Sequence, residues 1–264
     1  MGFFDTLKVG QLGKKAYRTH VMGMQLRKQG KYDEAEVKLA EALKQYDVAY
    51  QAGFRQSGAL QGYALLLMRS GDFPKAREIM LEASKDKAMK PEDRFTLRVD
   101  FSICQWKMGN IDKAIETIET AAQGKKNGVV YTTLGMYLVD KARQTGDFEE
   151  AIRLNEEAYE YDDEDAGVLD NMGQMYLAMS EWSVRNGEAG LAAEQRAKAL
   201  EYLKKAYEIK PEQISSTYFL AKMLHDDGDD AQARKVLGSV IKLPFSAMLQ
   251  ISREQAQALQ KEIG

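Results

Sequence analysis

Cysteine occurs once in the 264 residues, at Cys104. That excludes an intramolecular disulfide and any paired-cysteine zinc site. Histidine occurs twice, at His20 and His225, far apart and with no HExxH or carboxylate cluster beside either. Both read as ordinary surface or groove histidines, not metal ligands. Proline occurs four times, which excludes Pro-rich linkers. No run of 18 apolar residues occurs, so no segment is expected to span a membrane. Asp5 and Lys8 interrupt the first apolar stretch, so no signal-peptide core is expected and a cytoplasmic location is the simplest reading. GxSxG, Walker and GxGxxG sequences are absent. Carboxylates are plentiful, but none stands alone in an apolar stretch that would raise its pKa for acid–base work. The chain therefore reads as a non-enzyme with no metal and no cofactor.

What is present is charge in blocks and a repeat. Net charge is −3, which argues against general nucleic-acid binding. Residues 1–31 hold seven basic residues and one acid, a net of +6. Residues 147–170 hold eleven acids and one base, a net of −10. Within the latter, Asp162-Asp163-Glu164-Asp165 reads as a solvated turn that also favours the start of the next helix.

One pattern recurs: Gly, a small polar residue, an aromatic or apolar residue, two more residues, then Ala. It runs Gly30-Lys31-Tyr32-Asp33-Glu34-Ala35, and then Gly71-Asp72-Phe73-Pro74-Lys75-Ala76. It returns as Gly109-Asn110-Ile111-Asp112-Lys113-Ala114, Gly146-Asp147-Phe148-Glu149-Glu150-Ala151 and, more weakly, Gly228 to Ala233. Seven residues after these alanines come Ala42, Ala83, Ala121, Ala158 and Val240. The glycine ends one helix and the polar residue starts the next. Small residues seven apart share one helical face and admit a close neighbour.

These motifs, with Asn171-Met172-Gly173-Gln174-Met175-Tyr176 and the run Ala199 to Pro211, resemble the tetratricopeptide repeat over residues 16–245. The resemblance implies an all-α fold, a tetratricopeptide-type α-solenoid: a right-handed superhelix of about six helix pairs plus a C-terminal capping helix. Residues 1–15 are expected as a basic segment or cap, 16–245 as the repeat array and 246–264 as the capping helix. Ser252 with Gln255 fits a capping box. Successive motif alanines at 35, 76, 114, 151, 199 and 233 lie 41, 38, 37, 48 and 34 residues apart, against about 34 in the family. Repeats four and five are therefore lengthened. The fifth pair is expected to project, with its tip near Arg185–Gly190.

The resemblance also implies that the first helix of each pair lines a groove. Counting from the motif puts Met24, Arg27, Lys28, Leu65, Met68, Arg69, Ile103, Trp106, Lys107 and Met136 on that face. Apolar groups there suit a partner, and the basic row suits an acidic group. The Lys/Asn/Arg clamp by which some family members hold chaperone tails is absent, because His20, Met24, Gly62, Thr96 and Asp100 occupy its positions. The expected function is a non-catalytic protein–protein interaction scaffold binding an apolar, partly acidic peptide segment or partner protein in the groove. A peptide-sensing regulator is one alternative, though no length remains for an effector domain. A peripheral membrane adaptor using Phe3, Phe4 and Leu7 is the other, disfavoured because Val9 and Leu12 leave that face. The oligomeric state and the partner's identity stay open.

Overall fold

A computed structural model describes the backbone of residues 3–264 and the side chains from residue 8 onward. The side chains of Phe3, Phe4 and Leu7 lie outside the described residues. Those residues form thirteen α-helices and no strand: α1 (Phe3–Lys28), α2 (Tyr32–Gln51), α3 (Ser57–Ser70), α4 (Phe73–Ala83), α5 (Pro91–Lys107), α6 (Ile111–Ala122), α7 (Gly128–Thr145), α8 (Glu149–Tyr161), α9 (Ala166–Arg185), α10 (Ala189–Ile209), α11 (Ile214–Asp226), α12 (Asp230–Gly238) and α13 (Arg253–Ile263). The sequence reading takes 16–245 as one array. The chain instead divides into two compact units. The first runs to Asn110 and includes Ser246–Met248; the second holds Ile111–Phe245 and Leu249–Gly264.

In each unit the repeat motif makes the core. Ala35, Ala76, Ala114, Ala199 and Ala233 are all 0% exposed and Ala151 is 1% exposed. Their partners seven residues on, from Ala42 to Val240, are buried too. A larger residue at these places would hold the helices apart. In the first unit Gly23 serves the same end: a Cβ there would sit 2.7 Å from the Leu39 side chain and 3.2 Å from its backbone N. Around this seam Tyr46 stacks on Tyr63, with ring centroids 5.9 Å apart. The Tyr63 hydroxyl and the Lys75 ammonium both donate to Asp47 Oδ1, at 2.7 and 2.6 Å.

Two sequence expectations change. The boundary at residue 15 falls inside α1, which runs unbroken through Gly10 and Gly13. A Cβ on Gly13 would collide with the Phe54 ring, so this glycine allows packing and does not end a helix. The lengthened fifth pair, α9 and α10, is also less free than expected. Trp182 of α9 covers Gly146 and donates its indole N–H to the Arg143 carbonyl at 3.2 Å. Arg196 of α10 donates to the Met223 carbonyl at 3.0 Å and pairs with Asp227 at 2.5 Å. Only Val184–Leu191, the turn and its flanks, is exposed throughout. The acidic run behaves as a turn: Asp165 Oδ1 accepts from Gly167 N and Val168 N and caps α9. At the other end α13 starts at Ser252 with the expected capping box, but residues 246–252 are not helical.

Candidate functional site

The first helices of the pairs in the first unit, α1, α3 and α5, lie side by side. Between the middle of α1 and the N-terminal ends of α3 and α5 opens a cleft of about 520 Å³. Lys14, Tyr17 and Arg18 line it from α1, Gly58 and Gln61 from α3, and Asp93 from α5. Gln61 Nε2 donates to the Asp93 carbonyl at 3.2 Å and ties α3 to α5. Space is open beside Gly58, where an added Cβ would meet nothing within 4 Å. Tyr17 is 56% exposed, unusual for a ring on an inner helix. Lys14 and Arg18 are exposed, and neither pairs with a carboxylate among the described residues. Behind the cleft His20 is buried, with Nδ1 3.3 Å from the Tyr46 hydroxyl. Gly62 makes room for that pair, since its Cβ would lie 2.9 Å from the hydroxyl and 3.1 Å from Nδ1. Burial, with the Arg69 charge second, holds the His20 pKa below its ordinary value.

The residues expected from the sequence lie mostly at the opposite, C-terminal ends of these helices, and they are largely engaged. Met68 is 0% exposed. It is core, because its side chain closes the α3–α4 seam, and it cannot meet a partner. Arg27 and Arg69 do come together, but on one internal carboxylate: both donate to Glu36 Oε1, at 2.6 and 3.0 Å. They form a structural clamp between α1, α2 and α3. Met24 and Leu65 are half-buried and pack on the core cluster. Lys28 is exposed in the last turn of α1. Ile103, Trp106 and Lys107 are half-buried on α5, with the Lys107 ammonium 4.4 Å from the Trp106 ring centroid. Met136, half-buried on α7, belongs to the second unit.

Counting from the motif missed Lys14, Arg18 and Asp93. Lys14 precedes the first repeat position, because α1 continues beyond the family's repeat boundary. The signal that could have found it was the basic excess of residues 1–31. In the second unit one inner carboxylate is satisfied by its neighbours. Asp170 is buried and accepts from Ser215, from Gln174 at 2.9 Å and from Gln213 at 3.2 Å. Desolvation raises its pKa against those hydrogen bonds. No group of three or more metal-ligating side chains is gathered among the described residues. None of their helices is long and apolar enough to cross a membrane.

A family model described as tetratricopeptide repeat matches residues 21–90, from mid-α1 to the turn before α5. Over that stretch the chain is similar to the tetratricopeptide repeat. Among solved structures, human IFIT1 in its dimer with m7Gppp-AAAA is similar at a TM-score of 0.61 and 14% identity, covering 84% of this chain and 49% of that one. A monomeric IFIT1 mutant with Gppp-AAAA is similar at 0.58 and 15%, covering 90% and 61%. Both likenesses are of fold, and the repeat protein spans about half the length of the first. No curated protein sequence matches it.

Proposed function

We propose that this repeat protein is a cytoplasmic, non-catalytic interaction scaffold that receives a peptide segment of a partner protein on the inner face of α1, α3 and α5. The observation that carries the proposal is the cleft around Tyr17. It is open, it holds an exposed ring, and its cations Lys14 and Arg18 pair with no carboxylate among the described residues. Tyr17 offers area at low entropic cost. The two cations favour a carboxylate beside an apolar residue, and Asp93 sets its register by repelling a second acid. Within the same proposal, Ile103, Trp106 and Lys107 extend the surface for a longer segment. Met24, Leu65 and Lys28 form its far edge.

The solved IFIT1 structures hold m7Gppp-AAAA and Gppp-AAAA. Lys14 and Arg18 against Asp93 leave a single net positive charge in the cleft, which is little for a phosphate chain. A protein segment is the better match.

An array of short peptides, each with one Glu or Asp beside aliphatic residues, tests the proposal. Wild type should retain a subset. The double variant Lys14→Glu/Arg18→Glu should lose that subset while keeping its helical circular dichroism. Equal retention by both proteins would remove the cleft from consideration. Tight binding of a capped oligoribonucleotide with no peptide retained would replace the peptide by RNA.

A further inference from the structure

Residues 239–252 form the longest non-helical stretch among the described residues. Pro244 lies within it and disfavours helix at Leu243. Ser246–Met248 pack with the first unit, whereas the residues on either side belong to the second.

The place where they sit follows from how α3 ends. Gly71 adopts a left-handed conformation, φ 92°, and closes the helix. Its N–H returns to the Met68 carbonyl at 3.1 Å, and the Asp72 N–H returns to Leu67 at 2.9 Å. The Ser70 hydroxyl also donates to Leu67, at 2.9 Å. This capping satisfies the Leu67 and Met68 carbonyls and leaves that of Arg69 for another donor. The Ala247 N–H supplies it, at 3.1 Å. The Ala247 methyl lies 3.4 Å from where a Cβ on Gly71 would be, an ordinary contact, so the segment rests against the turn that ends α3. One residue on, Met248 packs against the core cluster of the first unit. Yet Ala247 is exposed, and Ser246 and Met248 are only half-buried. The segment thus lies on a finished helix pair as a bound peptide would, with one main-chain hydrogen bond and one apolar anchor.

We propose that Ser246–Met248 is a releasable internal ligand. It fills a docking position at the C-terminal end of α3, and a segment of the same chemistry competes for that position in trans. Such a segment presents a free N–H in a turn, followed by a flexible apolar side chain such as Met, which adapts to an irregular surface. The position is separate from the cleft of Lys14 and Arg18 and does not need it. An internal occupant weakens an external one by the fraction of molecules in which the position is empty. Releasing the segment therefore tightens external binding with no new contact.

The probe is a fluorescent peptide copying residues 243–252. The variants are Ala247→Pro, which removes the donor, and Met248→Asp, which removes the anchor. Each variant should bind the peptide at least about tenfold more tightly than wild type. A peptide carrying Pro in place of Ala247 should bind none of the three proteins. In wild type, the Ala247 amide should exchange with deuterium much faster than the amides of α3. Equal peptide binding by wild type and both folded variants would overturn the proposal. So would an Ala247 amide as slow as those of α3, or loss of the fold in both variants, since either makes the segment a fixed part of the structure.

Discussion

The two ends of the inner helices of the first unit carry similar side chains and use them differently. At the C-terminal ends Arg27 and Arg69 share Glu36, Met68 is sealed, and Ser246–Met248 lie over the last turn of α3. At the other end, where the middle of α1 meets the starts of α3 and α5, Lys14 and Arg18 line an open cleft beside an exposed Tyr17. A basic residue at a groove position is therefore no guide to binding until its nearest carboxylate is known. A cation held by an internal acid has little left for a ligand. The four variants below separate the closed end and the core from the open end, in descending order of expected effect on stability.

Ala114→Leu probes the motif itself. Ala114 is fully buried on α6 in the second unit, so the extra volume should cost roughly 1–3 kcal/mol in urea unfolding. No change would mean that the α6 seam is looser than described. Arg69→Glu probes the closed end. It removes one arm of the Glu36 clamp and sets two carboxylates against each other. Glu36 is partly exposed, so the expected loss is about 1–2 kcal/mol, below that of a fully buried pair. A variant as stable as wild type would show Arg69 to be uncommitted after all.

Asp100, on α5, probes a mismatch of charge and burial. Burial alone pushes its pKa up to about 6 from 3.8. The folded state then favours the protonated acid, so its ionisation costs stability as pH rises through 6. Asp100→Asn should stabilise the protein by about 1–2 kcal/mol at pH 7.5. The gain should shrink below pH 6 and vanish below about pH 4. His20 works in the opposite sense. Its folded-state pKa lies below the ordinary value, so wild type should lose stability as pH falls below about 6.5. A gain from Asp100→Asn that did not vary with pH would mean that ionisation is not its source. The smallest effect belongs to the open end: Lys14→Glu/Arg18→Glu should change stability by less than about 0.5 kcal/mol, as exposed substitutions do.

Much of the fold was legible because its rule is local. The Gly-to-Ala motif marks a helix end and a close-packed face within six residues, and every motif alanine is buried. The capping box at Ser252 was equally local. The candidate site was less legible, for three physical reasons. Gly13 weakens a helix by its conformational freedom, but it serves the approach of the Phe54 ring, so α1 and its cations extend further than the repeat count allowed. Glu36 lies on α2, a second helix, and nothing in the sequence says that it neutralises Arg27 and Arg69. The 239–252 stretch alternates apolar residues from Ile241 to Ile251 but has no helical period, so its path over α3 rests on tertiary contacts alone.

The central claim is that partners enter at the open end. The strongest binder from the acidic peptide array, followed by fluorescence anisotropy at low salt, tests it directly against Lys14→Glu/Arg18→Glu and, separately, Lys107→Glu. The account predicts a loss of at least about tenfold in the first variant, diminishing as salt screens the charges, and a change under about twofold in the second. Full binding by Lys14→Glu/Arg18→Glu with loss in Lys107→Glu would contradict it and return the site to the C-terminal end of α5.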